Sequence, residues 1–233
     1  MSLSAISSMP EDLINFTCRA SRSQAKSPMP TKTELIFPSY IARGRLKQAR
    51  TLNRDLSREI KALEKIDDFG RRWSSKNYTG GYSSYSSMDQ LHRTSPNFAQ
   101  LEKLLQPHVK AMVRKLHWNL LGGELCMTTC WANAMGNGTY HTMHLHPGSV
   151  LSGVYYVALP GHSSQLKIED PRLGLMMAAP PRLETAPPAE RNYLSLKSKP
   201  GEFILFESWM RHEVPPHRGN ARRLSVSFNY EWT

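Results

Sequence analysis

The texture of this chain changes at Gly122-Gly123. Beyond that point, apolar residues stop recurring at helical steps and fall into short alternating runs split by Gly, Pro, Asn and Asp. These runs predict strands over 124–135, 139–145, 150–159, 165–169, 193–197, 202–207 and 222–232, with a short piece at 212–214. Such a series can bury its apolar faces only by laying sheet on sheet, which predicts a sandwich or barrel-like jelly roll. Residues 174–192, rich in Pro and Ala, form a long connection of the kind that serves as a lid or binding loop.

The first half reads as an α/β extension. Residues 34–40 suggest a short strand that Pro38 pushes to a sheet edge. Leu46, Ala49, Leu52, Leu56, Ile60 and Leu63 follow helical spacing, with charges on the opposite face. Residues 67–88, with Trp73, Tyr78, Tyr82 and Tyr85 among Ser and Gly, read as a loop or irregular strand. Interleaved with Arg71, Arg72 and Lys76, these rings suit base stacking, but packing a loop onto the core is the preferred reading. Ser95-Pro96 opens a second helix, marked by Phe98, Leu101, Leu105, Met112 and Leu116, kinked or broken near Pro107 and ended by Gly122-Gly123. The expected organisation is a flexible tail over 1–30, an extension over 31–120 that packs on the core, and the core over 121–233. The fold class is thus mainly β with an α/β N-terminal extension.

A chain of 233 residues suits one large domain or a domain with a helical extension. No apolar run is long enough to span a membrane, and the first thirty or so residues lack the apolar stretch of a signal peptide. A cytoplasmic protein is expected. If Cys126 and Cys130 share a strand they stand ~13 Å apart, beyond disulfide reach, so reduced thiols are expected for them and for Cys18. The net charge of +11 is uneven: residues 1–120 carry 20 Lys and Arg against 10 Asp and Glu, and residues 121–233 carry 10 against 9. That excess suits an acidic partner or nucleic acid, though solvated helix faces are the preferred reading.

Within the β half stands His144-Leu145-His146-Pro147-Gly148-Ser149. Residues two apart on a strand share a face, ~6.6 Å between Cα atoms, so His144 and His146 can converge on one metal ion. Two surface histidines at a strand end are the plainer explanation of the pair alone. His141, three positions earlier, is expected on the opposite face. After the pair come Ser152-Gly153-Val154-Tyr155-Tyr156-Val157, Asp170-Pro171-Arg172, Ser208-Trp209, His212-Glu213-Val214-Pro215 and Arg223-Leu224-Ser225-Val226-Ser227-Phe228-Asn229.

With these segments the sequence resembles the Fe(II)/2-oxoglutarate-dependent oxygenase superfamily, and more closely a mainly bacterial and phage branch of it. The resemblance is strong over roughly 124–233 and implies a double-stranded β-helix flanked by helices. It implies Fe(II) held by His144, His146 and His212, with 2-oxoglutarate as co-substrate anchored by Arg223, Ser225 and Tyr156. Arg223 would pair bidentately with the distal carboxylate, while Arg222 points to the other face as a structural residue. Where most relatives carry Asp or Glu, this chain has His146. Asp170 or Glu169 is a candidate replacement carboxylate. Trp131 and Asn133 are candidates for the substrate side of the pocket. A small molecule or a peptide is the expected substrate, nucleic acid is not favoured, no membrane is involved, and a homo-oligomer is compatible with the sequence. Two rivals stay open: a cupin-type three-His dioxygenase, whose second motif does not fit the spacing, and an inactive basic binding module.

Overall fold

Among the described residues, ten strands arrange themselves into two antiparallel sheets, and four α-helices accompany them. The structure, a computed structural model, describes Met29 and residues 31–233. The expected tail over 1–30 therefore lies, Met29 apart, outside the described residues, as does Cys18. Residues 31–38 contain no helix or strand, and residues Ser39–Thr233 form a compact unit.

The larger sheet contains β1 (Ile41–Arg45), β2 (Tyr82–Ser83), β3 (Leu125–Met135), β5 (Leu151–Ala158), β8 (Glu202–Glu207) and β10 (Arg223–Trp232), in the order β1-β8-β5-β10-β3-β2. The smaller contains β4 (His141–His144), β6 (Leu166–Glu169), β7 (Tyr193–Leu196) and β9 (His212–Val214), in the order β4-β9-β6-β7. This is a jelly roll. The strand expected over 34–40 is not formed. Pairing starts three residues beyond Pro38, at Ile41 opposite Phe206, where every residue has an N–H to offer.

Alternation sorts the large sheet's side chains between two apolar layers. Tyr155, Phe203, Leu205, Leu224, Val226 and Phe228 join one core with the buried stripe of α1 (Ala49–Ile66) and α4 (Pro96–Lys115). Val154, Tyr156, Ile204 and Phe206 join a second core with Leu166, Ile168, Leu196 and Val214 of the small sheet. The stripe read from the sequence for α1, Leu52 through Leu63, is buried throughout. Helix α4 starts where Ser95 accepts from the N–H groups of Asn97 and Phe98. It runs unbroken past Pro107, because Leu101, Leu105, Val109 and Met112 are buried on both sides of the proline. It ends at Lys115, well before Gly122-Gly123, where His117 turns to φ 54°.

Residues 67–88 are the main departure from expectation. They contain α2 (Asp68–Asn77), the four-residue α3 (Leu91–Thr94) follows them, and neither helix was legible. Asp67 caps α2 by accepting from Gly70 N at 2.8 Å, and its other oxygen accepts from Tyr82 Oη at 2.9 Å and Ser87 Oγ at 2.5 Å. One buried carboxylate thus ties a helix to the strand and loop that follow. Asp67→Ala is expected to cost about 2–3 kcal/mol, since a cap is lost and the Tyr82 hydroxyl is left without a partner, while Ser87 keeps Ser84 O as acceptor. Urea unfolding at fixed slope checks this, and a loss below about 0.5 kcal/mol would contradict it.

The close approach of this segment to the β3–β4 turn needs glycine. A Cβ on Gly136 would stand 2.2 Å from the carbonyl oxygen of Gly80, itself at φ 80°. Thr139 Oγ1 completes the seam, donating to Thr79 O at 3.1 Å. Tyr78 is thereby brought against β4.

Candidate metal centre

The smaller sheet presents three imidazoles to one point. β4 and β9 run antiparallel with His144 directly opposite His212, a register that sets paired side chains ~5 Å apart. His146 lies just past the end of β4, held there by its N–H donating to Ser208 O at 3.0 Å. Ring centroids are 4.3 Å apart for His144 and His212 and 5.1 Å for each pair with His146. One nitrogen from each ring lies within 4.8 Å of the others, close to the ~4 Å or less that a single ion ~2 Å from each nitrogen requires.

Two rings are oriented through the backbone. His144 Nδ1 is 2.6 Å from Thr142 O and His212 Nδ1 is 2.9 Å from Met210 O. A carbonyl can only accept, so both rings carry the proton on Nδ1 and leave Nε2 as the free donor. Behind His212, Phe206 packs edge-on at 4.7 Å.

Burial, reinforced by the neighbouring His144, pulls His146 down to about 4 and His212 to about 3. Both imidazoles are therefore held in the neutral form that can ligate a metal across the physiological range. His141 is likewise depressed to about 3 by burial and then by His144 and Arg223. An unfolded chain takes up protons on these imidazoles near pH ~6.5, while the folded chain does not until about pH 4. The unfolded state then binds more protons, so stability rises with pH across that window. Metal-free protein should keep its full stability above about pH 6.5 and lose it on acidification towards pH 4, by at most about 1.4 kcal/mol per unit for each histidine. Thermal unfolding in a pH series measures this, and a midpoint unchanged from pH 7 to 5 would refute it.

His141 does not sit on the opposite face. The β4–β9 register shifts between His141 and His144, which cancels the simple alternation. His141 faces the same cavity, its ring 6.2 Å from that of His144 and its Nε2 2.7 Å from Tyr78 Oη. Asp170 and Glu169 do not supply a carboxylate either. Asp170 binds Arg172 at 2.8 Å and Glu169 binds Arg211 at 3.1 Å. Among the described residues, the three histidines are the only cluster with ligand spacing.

The triad opens into a cavity of about 620 Å³. Arg223, Ser225, Ser227, Asn229 and Glu231 of β10 line it, as do Thr129, Trp131 and Asn133 of β3. Arg223 is 2% exposed. Its Nε donates to Ser164 O at 3.1 Å and its Nη1 to Ser225 Oγ at 3.0 Å and Met135 Sδ at 3.2 Å. No carboxylate of the described residues pairs with it. A buried guanidinium without a counter-charge is costly unless a ligand supplies one. Tyr156 stands on the strand next to β10, opposite Ser225, with its ring 5.2 Å from the guanidinium carbon. Among the described residues its buried hydroxyl has no hydrogen-bond partner. Arg222 turns outward to Glu64 at 2.7 Å.

Trp131 and Asn133 both face the cavity. Trp131 lies 6.1 Å from the His146 ring with Tyr85 edge-on at 5.0 Å, and Asn133 is held by Ser83 and Ser227. Trp73, Tyr78 and Tyr85 line the same cavity, so most of the loop aromatics serve the pocket while Tyr82 serves the core. No residue of 174–192 lines it. That segment joins β6 to β7, the edge of the small sheet farthest from β4, so the expected lid does not border the cavity. Cys126 and Cys130 are free thiols on β3.

Fold and site together define a jelly-roll protein with a three-imidazole centre and an arginine-floored pocket. Residues 129–229 match a family model described as "Putative 2OG-Fe(II) oxygenase". No curated protein matches the sequence. Among solved structures, a prolyl-4-hydroxylase from Pseudomonas putida is 16% identical, with 84% of this chain and 94% of that one covered at a TM-score of 0.55. HygX from Streptomyces hygroscopicus, solved with nickel and 2-oxoglutarate, is 12% identical over 84% of each chain at 0.56. A 2OG-Fe(II) oxygenase family oxidoreductase from Burkholderia pseudomallei is 19% identical, but this chain spans about half its length, 47%, and 48% of this chain is covered, at a TM-score of 0.36. At such identities the two full-length neighbours bear on the fold, and the family match supports the 2OG-Fe(II) oxygenase superfamily.

Proposed function

We propose that the protein is an Fe(II)- and 2-oxoglutarate-dependent oxygenase that hydroxylates a small molecule or peptide. The observation that carries this reading is Arg223, a buried guanidinium with no carboxylate partner among the described residues, in the cavity that the imidazole triad borders. His144, His146 and His212 would hold iron, and the donor set suits it, since imidazole ligates Fe(II) well. Arg223 with Ser225, and Tyr156 through its unpartnered hydroxyl, would receive the distal carboxylate of the keto acid. A cupin-type site gives Arg223 no task.

Bound iron and keto acid would supply the oxidising chemistry, coupling decarboxylation to succinate and CO2 with oxygen transfer to the substrate. The chain's own part is positional. Thr142 and Met210 carbonyls fix two ligand rings, Arg223 sets the direction of the co-substrate, and Trp131 with Tyr85 walls the side next to His146 against water.

Metal analysis of the purified protein, then succinate release assayed with peptides, amino acids and nucleotides, tests the reading. A visible absorption band on anaerobic addition of Fe(II) and 2-oxoglutarate is expected even without substrate. Protein that retains no iron and gives neither band nor succinate would overturn the proposal.

A further inference from the structure

Among the described residues, the triad offers three imidazole nitrogens and no carboxylate. The nearest acids of the small sheet are engaged elsewhere: Glu169 by Arg211, Asp170 by Arg172, and Glu213 by Lys167 at 2.8 Å. Of the residues lining the cavity, Glu231 alone is acidic, and it accepts from Thr128 Oγ1 at 2.9 Å, whereas Arg223 and Lys76 are cationic. A divalent ion placed here keeps its full double charge in a cavity that already holds a buried cation.

We propose that His146 makes metal loading conditional on a dianionic co-substrate and biases the site towards imidazole-seeking ions. The inference rests on the reading under Proposed function and concerns what one residue does to that site. A carboxylate at position 146 would neutralise part of the ion's charge and furnish an oxygen donor. The imidazole does neither. A keto diacid is then the first anion to reach the ion, so cation and diacid each raise the other's affinity, as linkage requires. Oxygen-seeking Mn²⁺ loses most from this donor set, and nitrogen-seeking Ni²⁺ least.

The test is equilibrium dialysis of Mn²⁺ and of Ni²⁺ against the full chain, with and without 2-oxoglutarate, for wild type and His146→Asp. His146 is only partly buried at a strand end, which favours a folded variant. Circular dichroism checks this, and His146→Glu replaces it if needed. Two results are expected. In wild type, 2-oxoglutarate tightens Mn²⁺ by about tenfold or more, against about threefold or less in the variant. The Ni²⁺-to-Mn²⁺ affinity ratio falls by about tenfold or more from wild type to variant. If either quantity is the same in both proteins, the inference is overturned while the metal site stands. If wild type and variant retain neither ion, the three-histidine site itself falls, and the proposed function with it.

Discussion

Replacing Arg223 by Ala should weaken 2-oxoglutarate binding by about a hundredfold while leaving the metal content unchanged. The size follows from burial. A charge pair made away from water loses both the attraction and the partner's compensation when one side is removed, and about 2–5 kcal/mol is the usual cost. Arg223→Lys should recover little, because an ammonium cannot present two parallel N–H groups to a carboxylate. The truncation also strips Ser164 O and Ser225 Oγ of their donor, so unfolding is measured alongside. Calorimetric titration of the keto acid into protein held in excess Ni²⁺ gives the constant. Should metal vanish and the keto acid still bind what remains, Arg223 has been misassigned.

The second large effect is expected from the triad. His212→Ala removes the proposed ligand that β9 sets across from His144, and with it the register-defined half of the candidate site. Loss of an outer-shell partner of a metal ligand costs about 10- to 100-fold in affinity, so loss of the ligand itself should exceed about a hundredfold. His141→Ala serves as the contrast. Its Nε2 is engaged by Tyr78 and it lies outside the triad, so the metal should be retained. Competition against a chelating dye reads both. Equal losses in the two variants would mean that His141 coordinates as well.

Much of this molecule is written in local periodicity. The 202–207 and 212–214 runs coincide with β8 and β9 to the residue, and the other strands beyond Gly123 differ from expectation by a residue or two at their ends. The buried stripe of α1 follows the spacing of its leucines. Alternation and helical period depend only on which residues stand two, three or four apart, so the chain displays them directly. Helix α2 escaped because its serines, glycine and aromatics do not make a helical stripe, and its stability comes from Asp67, whose partners Tyr82 and Ser87 lie up to 20 residues away. His141 was misplaced for a related reason. A register irregularity breaks the period of two, and no residue type announces it.

By itself, then, the sequence determined the two long helices, the order and period of the strands beyond Gly123, the His-x-His pair, the distant His212 and an Arg-x-Ser on the last strand. Only the tertiary structure decided that β4 and β9 pair with two histidines face to face, and that the polar face of β10 looks into a cavity instead of water. On an isolated strand, Arg223, Ser225, Ser227 and Asn229 would read as a solvated face. The small sheet roofs part of that face and leaves the rest as the pocket, because sheet pairing between distant segments sets which polar surfaces are enclosed, and no local pattern encodes it.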